Sequence, residues 1–578
     1  MRRTTKWLLV LGGFLFLFVL VCVAAAFSVA GGPSVPARAV LWVKLGPEIH
    51  EEDRRSALEK ALGRRTLTVR DYLHVFRAAG EDARVRAIVL EPQGFGGGWA
   101  VAEEIRDAVA RFQERGKPVF AYLEAAGNLD YFVASAADRV IMLPTGVLMA
   151  TGLLADVPFY KGTLAKIGIE ADLEHIGAYK SASDAYMRDS MSDAQREATN
   201  LLLDGIYDQF LSGIAEARSI GRDTVAAAVD EGFLVASRAR DLRLVDELSY
   251  PDEILDEIES RVGARPERIK AAAYFESLRE PRRGDRVALV YVTGVIVPGQ
   301  SVTDPLAGSL VGSETISEAL RKVREDGTIR AVVVRVDSPG GSGLASDVIW
   351  REMALTRKEK PVVVSMGNVA ASGGYYVSMG ADAIVAQPST VTGSIGVITG
   401  KFSLRGLYDW IALRREQIKR GANADLFTDY QKFGDAQRSL IRAQMETFYR
   451  DFVHKAAEGR ERTEEEIDAV GQGRIWTGSQ ALERNLVDEL GGLDRAVEIA
   501  KEKANIPKAR SVSLEVYPKP KGLFESLVSW GPEDSSAPGE VRAILPRGAK
   551  EALAVWKIRD LLEAEPYVCL EESLLGGF

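Results

Sequence analysis

An internal duplication constrains this chain more than any other feature. Glu81-Asp82 matches Glu325-Asp326, Arg86-Ala87-Ile88-Val89 matches Arg330-Ala331-Val332-Val333, and Gly96-Gly97 matches Gly340-Gly341, each at a displacement of 244 residues. Lys117-Pro118-Val119 meets Lys360-Pro361-Val362 at 243. Further on, Asp193-Ala194-Gln195-Arg196 meets Asp435-Ala436-Gln437-Arg438, and Val245-Asp246-Glu247-Leu248 meets Val487-Asp488-Glu489-Leu490, both at 242. So small a drift marks one unit copied in tandem. A chain of 578 residues also exceeds what one hydrophobic core organises. The expected layout is two repeats, 34–278 and 285–508, with 1–33 ahead of them and a C-terminal extension, 509–578, behind.

Each repeat reads as alternating strand and helix. Ala87 to Leu90 is a short apolar run ending in the loop Gly94-Phe95-Gly96-Gly97-Gly98, after which Ala100, Ile105, Val109 and Phe112 fall at helical spacing. Lys117-Pro118 restarts the chain into Val119-Phe120-Ala121-Tyr122. The second copy repeats this with Ala331 to Val336, the loop Ser338-Pro339-Gly340-Gly341-Ser342-Gly343, a helix near Ala345 to Ala354, and Val362 to Ser365. Strand, helix and parallel strand predict an α/β fold. Long amphipathic helices are expected over Asp193 to Arg218, with Ser192 and Gln195 as a capping box, and over Asp435 to Ala457. The polar stretch Arg279 to Asp285 is the expected linker, and Val555, Ile558, Leu561 and Leu562 predict a helix in the tail.

Ahead of the repeats, Arg2, Arg3 and Lys6 precede an uncharged run from Trp7 to about Ala30, long enough to cross a hydrocarbon core of about 30 Å. An uncleaved N-terminal transmembrane helix is expected; Ala24-Ala25-Ala26 keeps a cleaved secretory signal as the alternative. On either reading the basic flank stays in the cytoplasm and the bulk of the chain is exported. A net charge of −9 argues against nucleic acid as a partner. Two cysteines, Cys22 and Cys569, supply neither a disulfide framework nor a zinc ribbon. No metal or cofactor is expected, and no Gly-Lys-Ser/Thr follows the glycine loops to make a phosphate-binding loop.

The two copies differ where chemistry could sit. The second carries Ala370-Ala371-Ser372-Gly373-Gly374-Tyr375, whereas the aligned place in the first, Asn128, has no hydroxyl. The first carries Ala178-Tyr179-Lys180-Ser181, whereas the aligned stretch Gly421-Ala422-Asn423-Ala424 has no amine. A serine needs a base to become a nucleophile. Neutral lysine can serve, but its free pKa near 10.4 must fall by ~3 units, which takes about 4 kcal/mol of destabilisation of the ammonium. Burial in the small, apolar neighbourhood of Ile176 to Ala182 could supply that, although Glu174 and Asp184 are near in sequence. His175 and Lys419 are rival bases. A Ser-Gly-Gly segment is more often a plain turn and a loop lysine more often a solvated charge. Ser372, however, follows a hydrophobic strand and precedes a helix start, so its hydroxyl can point from a strand-to-helix corner. Gly340, Gly341 and Gly373 can expose N–H groups for an oxyanion.

Asp337-Ser338-Pro339-Gly340-Gly341-Ser342, the segment around Ser372, and Thr392-Gly393-Ser394-Ile395-Gly396-Val397 together resemble the signal peptide peptidase A family, also called protease IV. The tandem layout, Tyr179-Lys180-Ser181 and the N-terminal span look like its long, duplicated form, over residues 40 to 508. The resemblance implies two tandem Clp protease/crotonase-like repeats, Ser372 as nucleophile, Lys180 as general base, Ser394 orienting the amine, and Gly341 and Gly373 lining an oxyanion hole. It further implies a homotetramer on the periplasmic side of a bacterial inner membrane, degrading released signal peptides and other hydrophobic peptides. Two other classes stay open: a crotonase-like acyl-thioester enzyme, and a non-catalytic membrane scaffold of the same fold.

Overall fold

The computed structural model describes residues 34–53, 66–263, 265–278, 284–304, 308–519 and 568–570. The N-terminal span, most of the linker and the tail helix fall outside the described residues. Among the described residues, no helix is long and apolar enough to cross a membrane.

Two mixed α/β repeats are present, each built on a mostly parallel sheet. In the first, the strand order is Leu234–Val235, Arg139–Leu148, Val119–Ala126, Val85–Pro92, Ala39–Leu45, Glu267–Lys270. In the second it is Ile475–Thr477, Val391–Gly393, Val362–Ala371, Ile329–Ser338, Asp285–Thr293, Val512–Tyr517. The central strands are continuous apolar runs because helices cover both faces of a parallel sheet. Val332, Val333, Val334 and Val336 are all fully buried. The sheet of the second repeat reaches past residue 508, since Val512–Tyr517 pairs in parallel with Asp285–Thr293.

The duplication extends to individual hydrogen bonds. Tyr131 Oη donates to the Leu244 carbonyl at 2.7 Å, and Tyr375 Oη donates to that of Leu486 at 3.1 Å. Lys117 Nζ donates to the carbonyls of Ala79 and Asp82, and Lys360 Nζ to those of Val323 and Asp326. Equivalent tyrosines, 244 apart, place Asn128 opposite Ser372. The long helices run Asp193–Arg218 and Asp435–Arg460. Ser192 Oγ accepts from Gln195 N at 3.2 Å, giving one half of the expected capping box.

The repeats are locked together by buried polar contacts. Helix Trp99–Gln113 of the first repeat carries Glu103, whose Oε2 accepts from Ser389 N at 3.0 Å and Ser389 Oγ at 2.7 Å. Its neighbour Glu104 accepts from Arg335 Nη2 at 2.5 Å and from Leu493 N at 2.9 Å, while Glu51 accepts from Arg335 Nη2 at 2.7 Å. Asn368 reaches the glycine loop of the first repeat, donating to the Gly97 carbonyl and accepting from Ala100 N.

A third sheet crosses between the repeats. Its order is Val302–Asp304, Gly308–Gly312, Val295–Val297, Gly340–Ser342, Val568–Leu570, Val397–Ser403, Glu170–Ile176. The last pair joins the repeats antiparallel, from Val397 opposite Ile176 to Ser403 opposite Glu170. This strand pairing carries the segment after Ile176 into the second repeat.

Candidate active site

Ser372 stands where strand Val362–Ala371 turns into helix Gly373–Ser378. Its backbone, at φ 56° and ψ −112°, lies in a region L-residues rarely occupy. Bonds on both sides hold it there: Ser372 N donates to the Gly393 carbonyl at 2.8 Å, and the Ser372 carbonyl accepts from Tyr376 N at 2.8 Å. Strain maintained by its surroundings is found preferentially at functional positions. In the first repeat the corner is spent on structure, since Asn128 Nδ2 donates to the Gly152 carbonyl at 2.7 Å.

Lys180 follows the crossing strand Glu170–Ile176 and is fully buried, as are Ser372 and Ser394. Its Nζ lies 2.8 Å from Ser372 Oγ, 2.8 Å from Ser394 Oγ and 3.2 Å from the Ser394 carbonyl oxygen. The three side chains singled out in the sequence, from two repeats, therefore meet at one nitrogen. The rival bases are engaged elsewhere. Lys419 is 51% exposed and bonds the Asp425 carboxylate at 3.1 Å, and His175 Nδ1 contacts the Gly177 carbonyl at 3.0 Å.

Gly341 lies in the short strand Gly340–Ser342 with φ 153°, and a Cβ there would stand 2.0 Å from the Ile296 carbonyl oxygen. Only glycine lets these two strands approach so closely. Gly373 opens its helix, so its N–H lacks an intrahelical acceptor.

Motif reading missed the piece that holds the lysine segment in place. Tyr179 N donates to the Gln472 carbonyl at 2.7 Å and Ala178 N to Gln472 Oε1 at 3.3 Å. Gly473 N donates to the Ile395 carbonyl at 2.7 Å, and Ser394 N to that of Arg474 at 2.8 Å. One turn of the second repeat therefore grips both the Lys180 and the Ser394 segments. Gln472 is fixed in turn, its Nε2 donating to Asp468 Oδ1 at 2.6 Å and its N to Tyr449 Oη at 3.2 Å. Burial, with the Asp468 carboxylate beside it, holds the Tyr449 phenol protonated well above its ordinary range. Sequence offered one hint, the glycines at 471 and 473 ahead of a strand.

The model of Peptidase family S49 matches this chain twice, over residues 111–265 and 354–507. "Serine protease SPPA, chloroplastic" of Arabidopsis thaliana is 34% identical over 465 residues, covering 78% of this chain and 68% of the relative. "Protease 4" of Salmonella typhi is 31% identical over 522 residues, covering 88% and 81%. Among solved structures, "ClpP1 from Listeria monocytogenes" aligns at 15% identity and a TM-score of 0.22, over 35% of this chain and 91% of that one. Two family matches, one per repeat, and relatives that align along both repeats lead to one conclusion: the chain belongs to peptidase family S49 and is a serine peptidase.

Proposed function

We propose that the two repeats share one Ser-Lys dyad, with Ser372 as nucleophile and Lys180 as general base. The supporting observation is the 2.8 Å separation of Lys180 Nζ and Ser372 Oγ in a fully buried setting. Removal from water disfavours the ammonium and so favours the neutral amine that a base requires. A neutral amine has two N–H donors and one lone pair. Ser394 Oγ and the Ser394 carbonyl accept the two N–H groups, which turns the lone pair toward the Ser372 hydroxyl.

In acylation, Ser372 Oγ attacks the peptide carbonyl carbon while its proton passes to Lys180 Nζ. The oxyanion is stabilised by the N–H groups of Gly341 and Gly373. Lys180 then returns the proton to the departing amine, leaving an ester on Ser372. Water, deprotonated by the same amine, hydrolyses that ester and restores the serine.

The substrates proposed are hydrophobic peptides, released signal peptides among them, met at a membrane to which the Trp7 to Ala30 run tethers the enzyme on the periplasmic side. A relative from Enterococcus faecium, 32% identical over 242 residues, bears the name "Putative signal peptide peptidase SppA". Assembly as a homotetramer is proposed with it; Leu154, Trp410 and Ile418, each more than 70% exposed, offer apolar surface for such contacts.

The test is labelling with a serine-directed fluorophosphonate and cleavage of a hydrophobic peptide by wild type, Ser372→Ala, Lys180→Ala, Lys419→Ala and His175→Ala. Both readouts are expected to vanish in the first two variants and persist in the others. Cleavage that survives Lys180→Ala but is lost in Lys419→Ala or His175→Ala would reassign the base. Retention of the full chain in membranes after alkaline extraction tests the anchor.

A further inference from the structure

Two residues after Gln472, the side chain of Arg474 reaches from the second repeat to the segment that carries Lys180. Its guanidinium Cζ stands 4.2 Å from the centroid of the Tyr179 ring and 5.0 Å from that of the Trp476 ring. Its Nη2 donates to Oε1 of Glu197, on helix Asp193–Arg218 of the first repeat, and Glu197 Oε2 accepts from Tyr179 Oη at 3.1 Å. Trp476 is a fixed platform, buried and with its Nε1 donating to the Val470 carbonyl at 2.9 Å. Tyr179, Glu197 and Arg474 thus close a ring of contacts on the residue that precedes Lys180.

The main-chain bonds of Ala178 and Tyr179 to Gln472 fix where the lysine segment runs, but a chain held by two such bonds can still turn about them. Tyr179 is half-buried and Lys180 fully buried, so one side chain leaves the segment outward and the other inward. Gripping the outward ring sets the aim of the inward amine. The Arg474–Glu197 ion pair is partly exposed, at 20% and 56%, and by itself contributes little stability. What it adds is orientation, because a planar guanidinium can lie on an aromatic face while its N–H groups bond a carboxylate, and an ammonium offers no such plane. Arg474 also holds the other side of the amine, since its carbonyl accepts from Ser394 N at 2.8 Å.

We infer that Arg474 is a positioning residue for the catalytic base, clamping the Tyr179 ring from the second repeat so that Lys180 Nζ stays between Ser372 and Ser394. This rests on the dyad reading above. The clamp acts through the base alone, so its loss leaves peptide binding in place and slows the step in which the amine takes the serine proton.

The experiment compares Arg474→Ala, Tyr179→Ala, the double variant and Arg484→Ala in the full chain. The kcat is expressed per serine labelled to completion by the fluorophosphonate, so that a loss of folded protein alone leaves it unchanged. Arg474→Ala is expected to lower kcat about tenfold to a hundredfold with KM little changed, and to slow the labelling by the same factor. Tyr179→Ala should match it, and the double variant should fall no further, because the two side chains act through one contact. Arg484→Ala removes the other guanidinium over the Trp476 ring, 3.9 Å from its centroid, and should keep the wild-type kcat. Wild-type kcat in Arg474→Ala, a further fall in the double variant, or an equal fall in Arg484→Ala overturns the inference. Labelling of Lys180→Ala separates the two failures: if the dyad reading is wrong it labels as wild type does, whereas if only the clamp is wrong it stays silent and Arg474→Ala labels at the wild-type rate.

Discussion

Ser372 and Ser394 both hold positive φ, 56° and 53°, and neither is a residue that adopts such angles readily. At Ser372 the conformation projects Oγ from the corner toward Lys180, so the backbone strain and the 2.8 Å contact have one origin. Strain of this kind costs about 1–3 kcal/mol. Ser372→Gly, which relieves it, should therefore melt no lower than Ser372→Ala, while both are inactive; calorimetry of the two proteins checks this. A lower midpoint for the glycine variant would mean that the corner is relaxed. Ser394 touches the proposed base rather than the peptide carbonyl, so Ser394→Ala should reduce kcat about tenfold to a hundredfold with little change in KM. Steady-state kinetics decide it. Ser372 and Lys180 were legible in the sequence because each is present in one copy and missing from the other, whereas Ser394 was marked only by the family resemblance.

Among the elements, the crossing strand Glu170–Ile176 and the turn around Gln472 do most to assemble the site. The first carries the lysine out of its own repeat, and the second receives it. A Cβ on Gly473, at φ 77°, would fall 2.4 Å from Lys180 N and 2.6 Å from Lys180 Cα. Since both are backbone atoms, no rotamer change relieves the clash. Gly473→Ala should lower kcat at least tenfold while far-ultraviolet circular dichroism stays that of wild type. Full activity in that variant would show that the turn yields without moving the amine. Neither element was legible as functional: an antiparallel pairing between residues more than 220 apart has no local signature, and Glu170 to Ile176 alternates like any edge strand. Helix limits were better foreseen, because the amphipathic period and the Ser192 cap are local.

On the scale of the molecule, the Ser372–Lys180 pair exists only while the repeats stay docked, and that docking joins an apolar cluster shared by both repeats to buried polar contacts. Glu103, within helix Trp99–Gln113, is pushed up to about 8, chiefly by burial. In the unfolded chain it titrates near 4.5, so between those values the folded protein holds the extra proton. Its stabilising contribution is complete below about 4.5 and lost as pH rises through about 8, at up to ~1.4 kcal/mol per pH unit. Thermal midpoints measured from pH 5 to 9 should fall more steeply for wild type than for Glu103→Gln, which keeps an oxygen to accept from Ser389. Parallel curves would remove Glu103 from the interface energetics. The helical spacing of Ala100, Ile105, Val109 and Phe112 was legible, but a sequence shows period and not what stands opposite Glu103 and Glu104.

The duplication, the α/β character of each unit, and the hydroxyl and amine that belong to one copy alone could all be read from the order of residues. Those are matters of periodicity and of residues present in one copy and missing from the other, and both are written along the chain. That the two groups meet, which turn holds them, and that Val568–Leu570 pairs with Gly340–Ser342 came from the packing of distant segments. Distances between segments far apart in sequence are set by the packing of whole repeats, and the antiparallel register of Val397–Ser403 on Glu170–Ile176 is where that packing becomes a 2.8 Å contact.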